Sequence, residues 1–185
     1  PSGKIDIPSG TSREGAVKYT DFALKQFFRK ASQKPWFKNT IFVIVADHCA
    51  SSAGKNEIDI ANYHIPAFIV NAPVANQIIA KQCSQIDLFP TLFGIMNWKY
   101  ESNFFGKNVL NESFEERALL GTYRKLTLMK QNKVLILSDQ QKQTFNEWDK
   151  ETNNLKSLPM NQAFLEETIA WYQTADFLFT NKLLK

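Results

Sequence analysis

Between residues 12 and 33 apolar side chains return every three or four positions: Ala16, Tyr19, Ala23 and Phe27, with Val17, Leu24, Phe28 and Ala31 beside them. That period predicts one amphipathic helix with a wide buried stripe. Thr11 followed by Glu14 has capping-box spacing at its start, and Pro35 stops it. Residues 1–10 read as an extended, turn-rich lead-in. The next run, Thr40-Ile-Phe-Val-Ile-Val-Ala46, is continuously apolar rather than alternating. It predicts a strand buried on both faces, as in a parallel sheet covered by helices. Ile65-Pro-Ala-Phe-Ile-Val70 has the same character, with Pro66 tolerable only near its start. A polar loop, residues 49–63, separates the two. Further on, Asp87 is placed to cap a helix with Pro90 in its first turn and an end near Asn97. Helix, strand, strand, helix is the order of an α/β layer architecture.

From Arg117 the texture changes. Residues 118–122, 125–130 and 133–138 are short apolar runs broken at Gly121 and at Gln131-Asn132, which predicts antiparallel hairpins. Residues 139–158 are polar and read as a strand pair or a loop. The last segment, about Asn161 to Leu184, spaces Leu165, Ile169, Tyr172, Ala175, Leu178 and Phe179 along one helical face. It reads as a helix packed back on the domain, with a membrane-surface or partner helix as the alternative.

Composition narrows the function. The chain has 185 residues, 44% of them hydrophobic, with fifteen Phe, five Tyr and four Trp, enough for a bulky core. A net charge of +4 is mildly basic, and no Arg/Lys block is interleaved with aromatics, so nucleic acid is not an expected partner. No stretch of eighteen apolar residues is present, so nothing in the chain is expected to span a membrane. Cys49 and Cys83 are compatible with one disulfide or with two buried thiols. The start at Pro1 without Met reads as a cut or processed piece.

The sharpest local chemistry is Asp47-His48, directly after the first apolar run. In open α/β sheets ligands collect beyond the carboxyl ends of strands. A carboxylate and an imidazole emerging there offer oxygen and nitrogen donors to a divalent cation. Taken alone, such a pair is more often a turn residue beside a hydrogen-bonded histidine than a metal site. His64, the other histidine, reads as a strand-start residue bonded to backbone or as a substrate contact. Lys55, in the polar loop, is a solvated charge or a contact for a phosphate or sulfate.

Residues 36–48, WFKNTIFVIVADH, resemble the stretch before the second metal-binding pair of sulfatase-like enzymes of the alkaline phosphatase superfamily. That group includes lipoteichoic acid synthases, phosphoglycerol transferases and lipid A phosphoethanolamine transferases. The likeness continues in order through Tyr63-His-Ile-Pro-Ala-Phe-Ile69, Ser84-Gln-Ile-Asp-Leu-Phe-Pro-Thr-Leu92 and Phe104-Phe-Gly-Lys-Asn-Val-Leu110, and upstream through Tyr19-Thr-Asp21 with Phe27-Phe28. Where many relatives carry Gly after the Asp-His pair, this chain has Cys49, which implies a locally different loop. Cys49 is not in the context of a formylglycine precursor and reads as a small buried thiol.

The resemblance implies an α/β, partial alkaline phosphatase-like layered fold with a small antiparallel carboxyl-terminal sheet and a terminal helix. Residues 1–112 would be the later portion of the sulfatase-like core, and residues 113–185 the small antiparallel subdomain plus helix. It implies metal ligation by Asp47 and His48 (zinc, manganese, magnesium or calcium), and substrate contacts by His64 and Lys55. The family's Thr, Ser or formylglycine nucleophile has no counterpart at a matching position, so no catalytic residue is assigned here. Residues 1–185 alone are expected to be inactive and to hold metal weakly. The parent is then a phosphoglycerol- or phosphoethanolamine-transferase-like enzyme acting on phosphate or sulfate esters. The alternatives are a sulfatase proper, or a binding domain that kept the fold without the chemistry. By the same resemblance its partner is the amino-terminal half of the same protein. Its location is the periplasmic face of a bacterial inner membrane, with membrane contact only through segments outside this chain.

Overall fold

A computed structural model describes residues 12–48 and 58–184. Backbone packing divides the chain into two units, one comprising the residues through Val45 together with Ala67–Asn71, the other comprising Ala46–Pro66 and Ala72–Lys185.

In the first unit, helix α1 spans Ser12–Ala31, with Glu14 in its first turn and Arg29 and Lys30 in its last. Those charges oppose the partial charges at the helix ends. Thr11, the expected cap, lies outside the described residues. A tight 3-10 turn at Pro35–Asn39 leads into β1, Phe42–Val45, which pairs with β2, Ala67–Val70. The pairing is antiparallel, Phe42 opposite Val70 and Val45 opposite Ala67. This corrects the parallel arrangement that the continuous apolar runs suggested. Parallel neighbours need a crossover, usually a helix, to bring the chain back to the starting end. The described part of the connection holds only a 3-10 turn at Ile60–Tyr63.

Burial departs from expectation as well. No residue of β1 or β2 is fully buried, and Phe68 is 59% exposed. On α1, Ala31 is buried, but Val17, Tyr19, Leu24 and Phe27 are exposed, so the expected buried stripe is largely open in this chain. What the unit does pack is aromatic: the Phe42 ring lies 5.2–5.7 Å from those of Phe27, Phe28 and Phe37 and 6.3 Å from Trp36. Asn71 takes a left-handed backbone, φ 63°, and donates its side-chain amide to the Phe37 and Thr40 carbonyls. Asn tolerates that conformation better than most residues.

The second unit is built on a five-stranded antiparallel sheet in sequence order. Its strands are β3 (Ala118–Gly121), β4 (Lys125–Lys130), β5 (Lys133–Ser138), β6 (Gln143–Asp149) and β7 (Asn154–Leu158). The hairpins read from the sequence are present, and the polar stretch 139–158 is a strand pair. Alternation along β5 separates two faces. Val134 and Ile136 pack with Leu120, Met129, Ile58 and Ile60. Leu135 packs on the other side with Phe145 and Leu165. Leu165 belongs to α3, Gln162–Thr180, whose cap is Asn161, its side chain accepting the Phe164 amide. Phe179, assigned to the packed face from its spacing, is 74% exposed, whereas Leu178 beside it is half-buried. A short helix α2, Leu88–Ile95, precedes the sheet and ends two residues before the predicted Asn97.

Helix α3 is fastened to the sheet by Tyr172. Its hydroxyl donates toward the Thr127 and Leu120 carbonyls at 2.8 and 3.0 Å and accepts the Thr127 amide at 3.1 Å. Burial pushes its pKa up to about 12. The unfolded value is about 10, so the folded chain keeps a proton that the unfolded chain releases. The stability tied to that proton is complete below about pH 10 and is lost as pH rises toward 12. Tyr172→Phe should be less stable near neutrality yet flatter in its alkaline loss, read by denaturant unfolding between about pH 8 and about pH 11. An alkaline slope equal to wild type would rule out this role.

Candidate metal-binding site

The apolar run ends at Val45, and the Ala46 amide donates to the Pro66 carbonyl at 3.2 Å. The segment entering Asp47 and the segment leaving His64 therefore still lie side by side. Asp47 and His48 follow, their side chains 87% and 79% exposed. The Asp47 Oδ2 and His48 Nε2 are 3.5 Å apart, and the His48 amide donates to Asp47 Oδ1 at 2.9 Å. That bond restrains the carboxylate while both side chains remain open to solvent. A cation meeting the pair would find one oxygen and one nitrogen donor, a set suited to zinc or manganese. Two donors are fewer than the three or four protein ligands usual at such sites. No group of three His, Cys, Asp or Glu able to hold a metal is present among the described residues.

His64 ends the Ile60–Tyr63 turn, its amide donating to the Ala61 carbonyl at 3.3 Å. Its imidazole is exposed, has no partner among the described residues, and does not complete a three-ligand group with Asp47 and His48. Lys55 and Cys49 lie outside the described residues. Cys83 carries a free, exposed thiol.

One contributor escaped sequence reading. The Gln85 side-chain amide donates to the Ala46 carbonyl at 2.8 Å and reaches the Asp47 carbonyl at 3.5 Å. It ties the backbone under the Asp-His pair to a tight turn at Gln85–Asp87. Groups that orient metal ligands in this way affect affinity without touching the ion. Nothing in the local spacing of Gln85 marks it for that task, since the bond spans 38 residues.

That turn is itself rigidly held. Ser84 caps it and Asp87 closes the capping box, its Oδ2 accepting the Ser84 amide at 2.8 Å. Asp87 was expected to cap α2 instead, but its side chain makes no cap bond there. The carboxylate turns inward, because Arg117 provides a bidentate partner at 2.7 and 2.8 Å. The Lys107 amide adds a third direction at 2.8 Å. The Arg117 guanidinium is in turn covered by the Trp171 ring at 5.0 Å and the Phe114 ring at 5.5 Å. Asp87 is a structural keystone for the turn that carries Gln85.

Residues 8–98 match the sulfatase family model, a stretch that contains Asp47, His48, His64 and Gln85 and stops before the five-stranded sheet. A protein in the alkaline phosphatase superfamily from Vibrio parahaemolyticus, known from its crystal structure, is 26% identical with a TM-score of 0.90. The match covers 100% of this chain and 46% of that one, so this chain spans less than half the length of that relative. With the family model lying over the Asp-His segment and the fold shared along the whole chain, this chain is similar to sulfatases over just under half its length and shares the fold of an alkaline phosphatase superfamily protein.

Proposed function

We propose that Asp47 and His48 supply two ligands to a divalent cation in an enzyme that transfers or hydrolyses phosphate or sulfate esters, with phosphoglycerol- or phosphoethanolamine-transferase-like chemistry preferred. The observation that carries this reading is the pair itself: adjacent, solvent-open oxygen and nitrogen donors 3.5 Å apart, inside the segment that matches the sulfatase family. A cation bound there supplies Lewis-acid stabilisation of charge on the ester oxygens and lowers the pKa of the attacking group. The Asp47 carboxylate offsets part of the cation's charge, and His48 binds in its neutral form, so protons compete for the site. Gln85 reaches the carbonyls on either side of the Asp47 Cα and thereby restrains the direction in which the carboxylate leaves the backbone. His64 and Lys55 are proposed to meet the anionic oxygens of the ester.

The nucleophile and the remaining ligands are proposed to come from sequence outside residues 1–185. The exposed apolar positions on α1 and Phe68 on β2 support further chain covering this surface. No helix among the described residues is long and apolar enough to cross a membrane. An extracytoplasmic, membrane-linked location is proposed on family likeness alone, with the link made by other segments.

The test uses the full-length parent with manganese or zinc, bis(p-nitrophenyl) phosphate and p-nitrophenyl sulfate. The phosphodiester should be the better substrate, and Asp47→Ala with His48→Ala should reduce its turnover by at least about 100-fold. Preference for the sulfate ester would favour a sulfatase. Unchanged turnover in the double variant would refute the ligand assignment.

A further inference from the structure

Residues 100–117 run without regular strand or helix, yet they form one wall of a cleft whose other side is β4 and α3. The cleft has a volume of about 710 Å³, inside the roughly 300–1,000 Å³ range of small-ligand sites. It lies wholly within the second unit, and neither Asp47 nor His48 lines it.

Its charges are mostly paired. Lys130 is paired with Glu167 at 2.5 Å and Glu115 at 3.5 Å, and Arg117 is spent on Asp87. Lys107 and Glu101 remain, opposite in sign and without partners among the described residues. A phosphate, sulfate or carboxylate ligand would find no surplus of positive charge, and the one carboxylate in excess, Glu115, shares Lys130 and is 83% exposed to solvent.

The surfaces left open are of two kinds. Tyr100 and Phe104 are 46% and 40% exposed, with ring centroids 6.5 Å apart and planes inclined by 36°. They form a bent aromatic platform. Trp171 and Phe114 are less available, because Arg117 stacks on both. Also lining the cleft is Asn111, an exposed residue whose Oδ1 accepts from the Asn108 side-chain amide at 3.2 Å, its own amide group being a further donor. The Ser113 hydroxyl, like Lys107 and Glu101, has no partner among the described residues. The cleft thus offers aromatic faces, neutral donors and acceptors, and no surplus of positive charge.

We propose that this cleft binds a neutral saccharide. A pyranose ring has apolar C–H faces that rest on aromatic rings and an equator of hydroxyls that donate and accept at once. A lipid would require a continuous apolar lining. A peptide adding as a strand would require a free sheet edge, whereas β4 is an interior strand.

The test is calorimetric titration of the chain with maltotriose, cellotriose and chitotriose, with EDTA present so that the outcome does not depend on the metal reading. At least one trisaccharide should bind with a dissociation constant of about 1 mM or below. Tyr100→Ala and Phe104→Ala should each weaken it about fivefold to tenfold. The exposed pair Asn111→Ala and Ser113→Ala, which costs only the side-chain hydrogen bond from Asn108, should weaken it similarly if an aromatic variant fails to fold. Inorganic phosphate should not compete. The proposal is overturned by no binding of any of the three at about 10 mM, by equal affinity in the Asn111/Ser113 variant, or by displacement with phosphate.

Discussion

Arg117→Ala should destabilise the chain by about 3–5 kcal/mol, measured by denaturant unfolding of purified protein. The Arg117 and Asp87 side chains are 3% and 1% exposed and share two hydrogen bonds. Deleting the guanidinium leaves a buried carboxylate with only the Ser84 and Lys107 amides and no countercharge. It also removes the cation between Trp171 and Phe114. With typical domain stabilities of about 5–15 kcal/mol, that loss is a large share of the whole. Asp87→Ala should cost a similar amount, and the double variant much less than the sum, because each single change strands the other charge. Additive losses would show that the pair is not the unit described.

Gly106→Ala should be nearly as damaging, for reasons of space. A Cβ at residue 106 would lie 1.8 Å from the Ile86 carbonyl oxygen and 2.5 Å from its carbon, both backbone atoms. That backbone cannot retreat cheaply, since the Ser84–Asp87 capping box holds the turn on both sides of Ile86. Pushing residue 106 away instead would pull the Lys107 amide off Asp87, which it meets at 2.8 Å. Overpacking of this kind costs about 1–3 kcal/mol and sometimes more. Thermal unfolding should show a clear drop for Gly106→Ala. Gly94→Ala, facing only the Asn108 side chain, which can swing aside, should lose less. Equal midpoints for wild type and Gly106→Ala would contradict the close approach.

These two positions show what sequence reading could and could not reach. The strands β3, β4 and β5 were legible almost to the residue, because alternation and the Gly121 and Gln131-Asn132 breaks are local signals. Gln131 indeed takes a left-handed turn conformation, φ 54°. The direction of β2 against β1 was not legible, since a continuous apolar run reports burial and not orientation. Burial itself was overestimated for α1, where periodicity names the apolar face but not what covers it. Asp47 and His48 were singled out by residue type, position after a strand and family resemblance, and they stand solvent-open directly after β1. Gln85 was not, and neither was the partner of Asp87, because each acts across 30 residues or more.

The account rests on Asp47 and His48 acting together on a cation, and calorimetric titration of residues 1–185 with manganese and with zinc tests that most directly. It predicts weak, saturable binding with one site, lost in Asp47→Ala with His48→Ala and weakened at acid pH as protons compete with the metal. Identical isotherms for wild type and the double variant would contradict it.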